Sequence, residues 1–232
     1  MTFEMRYDEA FLLWDRSGEL WNASRTLFNR LKVNQAVPNQ TTFIADDRYI
    51  LNVMINRTAV TDHRPTGSSE KIAETIATFA NLVSQTLDLS VLNRVGTRYQ
   101  FSMKCKTVEE ARARAAEAIP AFGSYPKLFN IAPTSCGPTV KIEADDGDLA
   151  FVAQLYAQEK KYEFNPPPDL AEASGLERTE QSIFELVLDF DFSTKKPIPV
   201  SAFDAHSWLV GASKAISRDA DLFLNYLASK ST

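Results

Sequence analysis

The chain has 232 residues and a mass of 26.0 kDa, with 44% hydrophobic and 24% charged residues and a formal net charge of −5 at pH 7. This length suffices for one large domain or two small ones with a self-sufficient core, and the composition excludes wholesale disorder. The mildly acidic balance argues against broad nucleic-acid binding, which needs a surplus of lysine and arginine to displace counterions from phosphates.

The cysteines and the N-terminus bear on metal chemistry and on the compartment. Cys105 and Cys136 are too few for a disulfide framework, and without neighbouring histidines they do not form a zinc site. The first residues lack a basic region followed by an apolar run, and no segment reaches the roughly 20 apolar residues of a membrane helix. We therefore expect a cytoplasmic protein that binds no metal, needs no cofactor and does not enter a membrane.

The chain is predicted to begin with a strand and a helix. Residues 3–7 alternate apolar and polar side chains, which is typical of a strand, and residues 11–14 extend it or form a second strand. Apolar residues then recur at helical spacing and predict a helix over 17–31, with a hairpin through residues 16–18 as the alternative. These apolar residues are Leu20, Trp21, Leu27, Phe28 and Leu31.

Two strands and an amphipathic helix are predicted next. Residues 41–45 and 49–62 have strand character and are joined by a turn at Asp46 and Asp47. Helix-start residues follow, and an apolar stripe then predicts a helix over 68–88. The stripe consists of Ile72, Ile76, Phe79, Val83 and Leu87.

The segment 90–106 alternates strongly and predicts an antiparallel strand with one solvated face. Thr107 is the predicted cap of a short alanine-rich helix over 108–118, which Pro120 ends. The apolar face of the strand comprises Val91, Val95, Tyr99, Phe101, Met103 and Cys105. The polar face comprises Arg94, Arg98, Gln100, Ser102, Lys104 and Lys106.

A segment rich in proline, serine and glycine over 121–138 is the best candidate for a boundary. We therefore predict an N-terminal α+β unit over 1–120 and a C-terminal α+β unit over 121–232, packed as one globular body. In the second unit we predict strands at 139–145 and 149–164, a surface loop to about residue 178, a strand at 182–192 and a closing helix from Ser201 to residue 228.

An internal duplication is one hypothesis for this organisation. Residues 41–56 and 139–154 share a short strand, two consecutive aspartates and the start of a long strand. Each half then supplies a further long strand and a helix, which suggests two related units. The alternative is that any two hairpins share turn chemistry, because aspartate is common in turns.

The strand sequence Arg94-Val95-Gly96-Thr97-Arg98-Tyr99 resembles an Arg-Val-Gly-x-Arg-Tyr motif. That motif is found in a sporadically distributed bacterial family of uncharacterised proteins of similar length. Residues 3–7, residues 186–191 and the closing helix with His206 and Phe223 resemble other parts of the same family, so the similarity covers nearly the whole chain. It implies a bacterial origin and an α+β architecture, and it implies no activity. Thr97 departs from the motif, since an apolar residue is more usual there.

A basic strand face is the first candidate binding site. Arg94 and Arg98 lie four residues apart on one face, and Lys104 lies beyond them. Guanidinium groups bind oxyanions through paired hydrogen bonds, so this face could follow a phosphorylated ligand. The alternative, which we favour, is that these side chains pair across strands with acidic neighbours. The acidic candidates are Glu185, Asp189 and Asp191.

The remaining chemistry-bearing residues do not assemble into a catalytic site. Asp189 and Asp191 could act as paired carboxylates, but a metal or acid–base site usually needs further ligands. His63 and His206 are the chain's two histidines, and they lie far apart in sequence. Charge runs usually form solvated faces, so we predict no catalytic residues and no metal ligands. Cys105 is predicted to lie in the core.

Aromatic residues suggest one further surface. Trp14, Trp21 and Phe28 are spaced seven residues apart and form a possible ridge. A buried ridge would belong to the core, whereas an exposed one would be an interface.

These patterns predict an α+β fold with long, mainly antiparallel strands packed by helices on one side. The leading functional hypothesis is a non-enzymatic interaction or assembly module that acts through strand faces or edges with a protein partner or as a homo-oligomer. The alternative is a binding protein or enzyme that acts on a phosphorylated or nucleotide-like ligand through Arg94 and Arg98. Direct pairing of the basic and acidic strands would favour the first hypothesis, and a pocket converging on the arginines would favour the second.

Overall fold

A computed structural model describes residues 1–117, 139–145, 147–164 and 179–228 of the chain. In chain order, its elements are β1 (Thr2–Arg6), α1 (Leu13–Leu27), β2 (Leu31–Val37), β3 (Gln40–Ala45), β4 (Tyr49–Met54), β5 (Arg57–Asp62), α2 (Ser69–Thr86), β6 (Val91–Leu92), β7 (Arg94–Cys105), α3 (Val108–Glu117), β8 (Val140–Asp145), β9 (Leu149–Phe164), β10 (Thr179–Thr194), β11 (Ile198–Pro199), a 3₁₀ turn (Val200–Ala202) and α4 (Ala205–Ala228).

The strands form one large sheet and one small one. The large sheet has nine strands in the order β2-β3-β4-β5-β1-β7-β10-β9-β8, and β11 pairs with β6. Pairing is antiparallel along β2-β3-β4-β5-β1-β7. Short turns join the consecutive strands β2 to β5, whereas β1 pairs with β5 and β7 over long separations in the chain. The predicted α+β class with long antiparallel strands is confirmed.

Two tight turns shape the N-terminal meander. Asp46 and Asp47 join β3 to β4 as predicted, with φ angles of 53° and 52°, a left-handed conformation that aspartate tolerates better than most residues. The predicted single strand over 49–62 is wrong, because the chain turns at Ile55 and Asn56. The carbonyl of Asn56 accepts from the Tyr7 amide at 3.1 Å, and the carbonyl of Ile55 accepts from the Ala10 amide. Residues distant in sequence therefore hold this turn in place.

The first helix is real, but its predicted limits are wrong. It spans Leu13–Leu27 instead of 17–31, so the hairpin alternative and the second strand over 11–14 are both excluded. Asp15 to Gly18, which suggested a turn, lie inside the helix. Leu31 starts a strand that sequence periodicity assigned to the helix, because its spacing from Leu27 also fits a helical stripe.

The limits of the second helix agree with the predicted helix over 68–88 to within two residues at each end. It spans Ser69–Thr86, and the Ser68 hydroxyl accepts a hydrogen bond from the Lys71 amide at 3.3 Å, which caps the helix N-terminus. Its predicted apolar stripe is buried throughout. The core lies between this helix, α1 and one face of the sheet, where Phe28 packs against Tyr49 and Phe79 at ring distances of 5.7 and 6.4 Å.

The predicted strand over 90–106 is divided into β6 and β7 at Asn93, whose amide donates to the carbonyl of Arg6. Its apolar face is buried at Val95 but exposed at Phe101 and Met103, so the prediction of one continuous core face is wrong for the second half of the strand. Cys105 is half-buried, not fully buried as expected for a core residue. The helix that follows begins as predicted, with the Glu110 amide donating to the Thr107 hydroxyl at 3.1 Å.

The later strands match their predicted positions, with β10 longer than expected at both ends. The closing helix begins at Ala205 instead of Ser201, which lies in the 3₁₀ turn. The predicted loop over 165–178 and Cys136 lie outside the described residues. Within those residues, the structure contains no helix with the length and hydropathy needed to cross a membrane.

The chain divides into two compact units, each of which is discontinuous in sequence. The first unit comprises Met1–Tyr99, Glu143–Val152 and Phe190–Leu222, and the second comprises the described parts of Gln100–Ile142, Ala153–Asp189 and Phe223–Thr232. The predicted boundary between residues 120 and 121 lies outside the described residues, so that boundary stays a prediction.

The order of elements bears on the duplication hypothesis. Apart from β2 and the short strands β6 and β11, the elements of the described residues read strand, helix, three strands and helix, first as β1-α1-β3-β4-β5-α2 and then as β7-α3-β8-β9-β10-α4. Along the sheet the corresponding strands run β3-β4-β5-β1 and then, in reverse, β7-β10-β9-β8. This symmetry of order is what a duplication would produce, although the duplication itself stays a prediction.

Candidate interaction surfaces

Arg94 is neutralised by two carboxylates in the first unit. Its strand β7 lies beside β10 in the sheet, and its guanidinium lies 3.0 Å from Asp191 and 3.2 Å from Glu4. The cross-strand pairing that we favoured from sequence is therefore observed for Arg94 and Asp191. All three side chains are at least partly shielded from solvent, which strengthens such pairs relative to fully exposed ones.

Gly96 gives this guanidinium the space it occupies. A Cβ atom at position 96 would lie 2.8 Å from Nη1 of Arg94, so the Arg94 side chain extends over the backbone two residues further along its strand. Side chains two apart on a strand share a face, and only glycine leaves that face open. The Arg-Val-Gly part of the sequence motif thus has a structural explanation.

Sequence inspection missed two arginines of the same surface. Glu4 also accepts from Arg6, at 2.7 Å, and lies 3.8 Å from Arg57. Arg6 of β1 and Arg57 of β5 are paired directly across the two strands. Local sequence patterns carry no information about which strands pair, so this proximity could not be predicted. We call Glu4, Arg6, Arg57, Arg94 and Asp191 the arginine cluster. A shallow cavity of about 360 Å³ adjoins it and is lined by Arg6, Met54, Asn56 and Arg57.

The other basic candidates lie further along β7. Arg98 pairs in register with Thr2 of β1, and its side chain is exposed. Lys104 belongs to the second unit and is also exposed. Of the three basic candidates, Arg94 is the one for which the structure gives the predicted pairing with acidic residues.

Two of the acidic candidates are buried in the second unit, which corrects the prediction of a solvated acidic face. Glu185 lies 2.7 Å from the Lys160 ammonium, and this contact raises the pKa of Lys160. Asp189 accepts a hydrogen bond from Gln100 at 3.0 Å and lies 3.4 Å from the Tyr156 hydroxyl. Burial arises because β10 is an interior strand between β7 and β9, whose side chains cover both carboxylates.

Thr97, which departs from the family motif, has a defined role in the first unit. Its side chain is fully buried, and its hydroxyl accepts a hydrogen bond from the indole nitrogen of Trp208 at 2.9 Å. Phe192 stacks on the same indole with a ring distance of 4.9 Å. Trp208 is half-buried, and a tryptophan N–H that is withdrawn from solvent needs an acceptor, so Thr97 supplies what an apolar residue could not.

The described residues were also compared with the requirements of a metal site. Within those ranges, no group of three histidine, cysteine, aspartate or glutamate side chains is arranged to hold a metal ion. His206 lies in the first turn of α4, where its amide donates to Asp204.

The edge strand β2 is an exposed element of the first unit. It pairs with β3 on one side and ends the described sheet on the other. Its last six residues are exposed, including Val33 at 50%. The register with β3 shifts between Val33 and Gln35, which makes Asn34 the residue of a β-bulge.

The predicted aromatic ridge does not form as one surface. Phe28 is buried and Trp21 is half-buried, whereas Trp14 is 56% exposed. Trp14 instead pairs edge-to-face with Phe11, which is 54% exposed, at a ring distance of 5.4 Å and an angle of 87°. Both rings line a groove of about 480 Å³ between the start of α1 and the segment after α2, which we call the acidic groove.

Comparison with known proteins gives no assignment. No protein-family model matches the chain, and no curated protein matches it significantly in sequence. The resemblance of the Arg94 strand to the uncharacterised bacterial family therefore stays a prediction.

Proposed function

We propose that this chain is a non-enzymatic assembly module of the bacterial cytoplasm, in which β2 pairs with β2 of a second copy. The observation that carries the proposal is the position of β2 at the edge of the sheet that the described residues form, with its last six residues exposed. An edge strand presents a row of N–H and C=O groups that pair readily with another strand. Identical strands related by a two-fold axis meet antiparallel, so one strand serves both subunits.

The sequence of β2 suits one particular register. With the two-fold axis at Asn34, Leu31 would lie opposite Val37, Lys32 opposite Ala36, and Val33 opposite Gln35. Lys32 is the strand's only charged residue, and in this register it faces an uncharged side chain. No like charges therefore oppose each other, and the apolar residues at the two ends of the strand pair with one another.

Other registers are less favourable. An axis at Lys32 would place two ammonium groups opposite each other, which is destabilising. The bulge at Asn34 also increases the local twist, and proteins commonly use such bulges and edge lysines against unspecific pairing.

The state of Arg94 also favours assembly over ligand binding. Its guanidinium interacts with Glu4 and Asp191, so a phosphorylated ligand would have to displace protein carboxylates that are already in place. Direct pairing of the basic and acidic strands was the observation expected to favour this hypothesis.

The test uses a charge swap at the proposed axis. We expect light scattering to give twice the chain mass of 26.0 kDa for the wild type. Asn34→Lys and Asn34→Asp should each give the mass of one chain, because like charges then meet across the axis. An equimolar mixture of the two variants should recover the doubled mass, because opposite charges meet instead. Asn34 is the bulged residue, so both substitutions should be tolerated by the folded chain.

Two results would overturn the proposal. One is a wild-type chain that stays at the single-chain mass at high concentration. The other is a doubled mass that persists in both variants, which would place the contact on another element. Val37→Thr serves as a control, since it keeps the backbone pairing and introduces no charge.

A second candidate function rests on the arginine cluster. Arg6 and Arg57 are about half-exposed and line the shallow cavity beside Asn56. They offer guanidinium groups to a phosphorylated or nucleotide-like ligand. The fixed carboxylate of Glu4 opposes anion binding at this place, which makes the candidate weaker than assembly through β2.

A further inference from the structure

The acidic groove combines exposed aromatic rings with a single sign of charge. Its lining residues include Asp8, Glu9, Asp15 and Asp88, which are all exposed, and no lysine or arginine. Arg16 follows Asp15 in the chain, but its guanidinium donates to the carbonyl of Thr86 at 2.8 Å. The side-chain amide of Asn93 donates a hydrogen bond to Asp8. Because that amide is uncharged, this contact does not neutralise the carboxylate of Asp8.

The apolar part of the groove is exposed to an unusual degree. Trp14 and Phe11 are each more than half-exposed, and Val91 on the opposite side of the groove is 38% exposed. Tyr7, Ala10 and Leu87 also line the groove and are buried. Large apolar side chains that cluster at one concave place mark an interaction site more often than scattered ones do.

The two features together specify the chemistry of an occupant. An aromatic ring attracts a cation over its face, and Trp14 is the best ring type for this interaction. Carboxylates around the rings add attraction for the same charge and repel anions. An uncharged apolar segment or an apolar anion would match the exposed apolar rings but not the carboxylates. A segment that is both cationic and apolar matches the rings and the carboxylates.

We propose that the acidic groove binds a segment of a partner protein in which lysine or arginine alternates with apolar residues. A cationic head group lies against the Phe11 and Trp14 rings, close to the carboxylates of Asp15 and Asp88. The neighbouring apolar side chains cover Val91 and the buried floor of the groove. This site uses neither β2 nor the arginine cluster, so it is independent of the proposed assembly.

The probe is a blocked, dye-labelled hexapeptide with the sequence Leu-Lys-Leu-Arg-Leu-Lys, and binding is followed by fluorescence anisotropy. Two further peptides separate the contribution of charge from that of apolar contact. One has glutamate in place of every basic residue, and the other has glycine in place of every leucine. We expect saturable binding of the first peptide, no binding of the acidic one and weaker binding of the glycine-containing one. Raising the salt concentration should weaken the complex, because exposed charges are screened.

Variants of the protein locate the site. Trp14→Ala should raise the dissociation constant about tenfold, through loss of apolar contact and of the cation–aromatic interaction. Asp15→Asn/Asp88→Asn should raise it several-fold without straining the backbone, since Asp88 has a φ of 52°, which asparagine also adopts. The matched controls are Tyr162→Ala, an exposed aromatic residue of β9, and Glu74→Gln/Glu109→Gln, a neutralised pair of exposed glutamates elsewhere.

Three outcomes would overturn the inference. Failure of the cationic peptide to bind more tightly than the acidic one would exclude the charge preference. Equal losses in the groove variants and in the matched controls would show unspecific attraction to an acidic protein. A change in mass by light scattering for Trp14→Ala would show that a second copy of the chain covers the groove. An unchanged mass with lost peptide binding supports the partner site, whatever the outcome for β2.

Discussion

Asp47 and Asp62 look equivalent in sequence, since each lies beside a strand end, yet their surroundings differ completely. The Asp62 side chain is buried and accepts hydrogen bonds from Arg48 Nε at 2.9 Å, from Arg48 Nη2 and from the Arg64 amide at 3.0 Å. Asp47 is more than half-exposed and lies 3.2 Å from the exposed Arg30. Only the fold distinguishes a structural ion pair from a surface one.

Substituting these two aspartates should separate the two kinds of pair. Asp62→Asn should lower the free energy of unfolding by about 2–4 kcal/mol, because it leaves the partly buried Arg48 without its charged partner. Asp47→Asn should change it by less than about 0.5 kcal/mol, since exposed pairs contribute little and asparagine accepts the left-handed backbone there. Urea denaturation measures both, and similar losses for the two variants would contradict this assignment.

Thr97 illustrates a residue whose choice depends on a distant neighbour. Its side chain is completely buried, an environment that usually favours an apolar residue. The indole N–H of Trp208, far along the chain in α4, supplies the reason for a hydroxyl. Leaving that donor without an acceptor would cost more than the threonine hydroxyl costs when it is hydrogen-bonded.

At the scale of elements, the N-terminus of α4 shows how a cap is chosen. Ser201 has the right chemistry for a cap, but Asp204 occupies the capping position. Its carboxylate accepts from the amides of His206 and Ser207 at 3.0 and 3.1 Å and from the Ser207 hydroxyl at 2.7 Å. These bonds, above all the one from the Ser207 hydroxyl, hold the pKa of Asp204 below its ordinary value of 3.8.

This cap should make the stability of the protein depend on pH in a defined direction. Because the folded state lowers the Asp204 pKa, the carboxylate stabilises the fold fully above pH 3.8, and this contribution is lost as the pH falls through the folded-state pKa. Asp204→Ala should therefore lower Tm at neutral pH, and its difference from the wild type should shrink towards zero in strong acid. Ser201→Ala should leave Tm unchanged at every pH; a loss equal to that of Asp204→Ala would refute the assignment of the cap.

The helices and strands differ in how well local pattern predicts their environment. The stripe of α2 is buried as predicted because a helix exposes one continuous side to the core. The alternation of β10 predicted one solvated face, but Glu185 and Asp189 on that face are buried. A strand's environment depends on its two neighbours in the sheet, and these are set by pairing over long sequence separations.

At the scale of the whole molecule, assembly through β2 should couple thermal stability to protein concentration. A dimer stabilises the folded state by mass action, so Tm of the wild type should rise by roughly 2–5 °C over a concentration increase of about a hundredfold. Tm of Asn34→Lys should not respond to concentration. Inorganic phosphate should leave Tm unchanged in both proteins. A rise in Tm with phosphate that disappears in Arg6→Ala/Arg57→Ala would instead support the second candidate function.

The sequence by itself determined the α+β class, the helix α2, the long strands β9 and β10, and the turn residues at Asp46 and Asp47. These follow from local periodicity and from backbone preferences within a few residues. The tertiary structure alone decided that Arg94 is neutralised, that Arg6 and Arg57 join it, that β2 is an edge, and that Trp14 lies in an acidic groove. Strand order and helix packing bring together residues that are distant in the chain, and such contacts leave no local periodic signal.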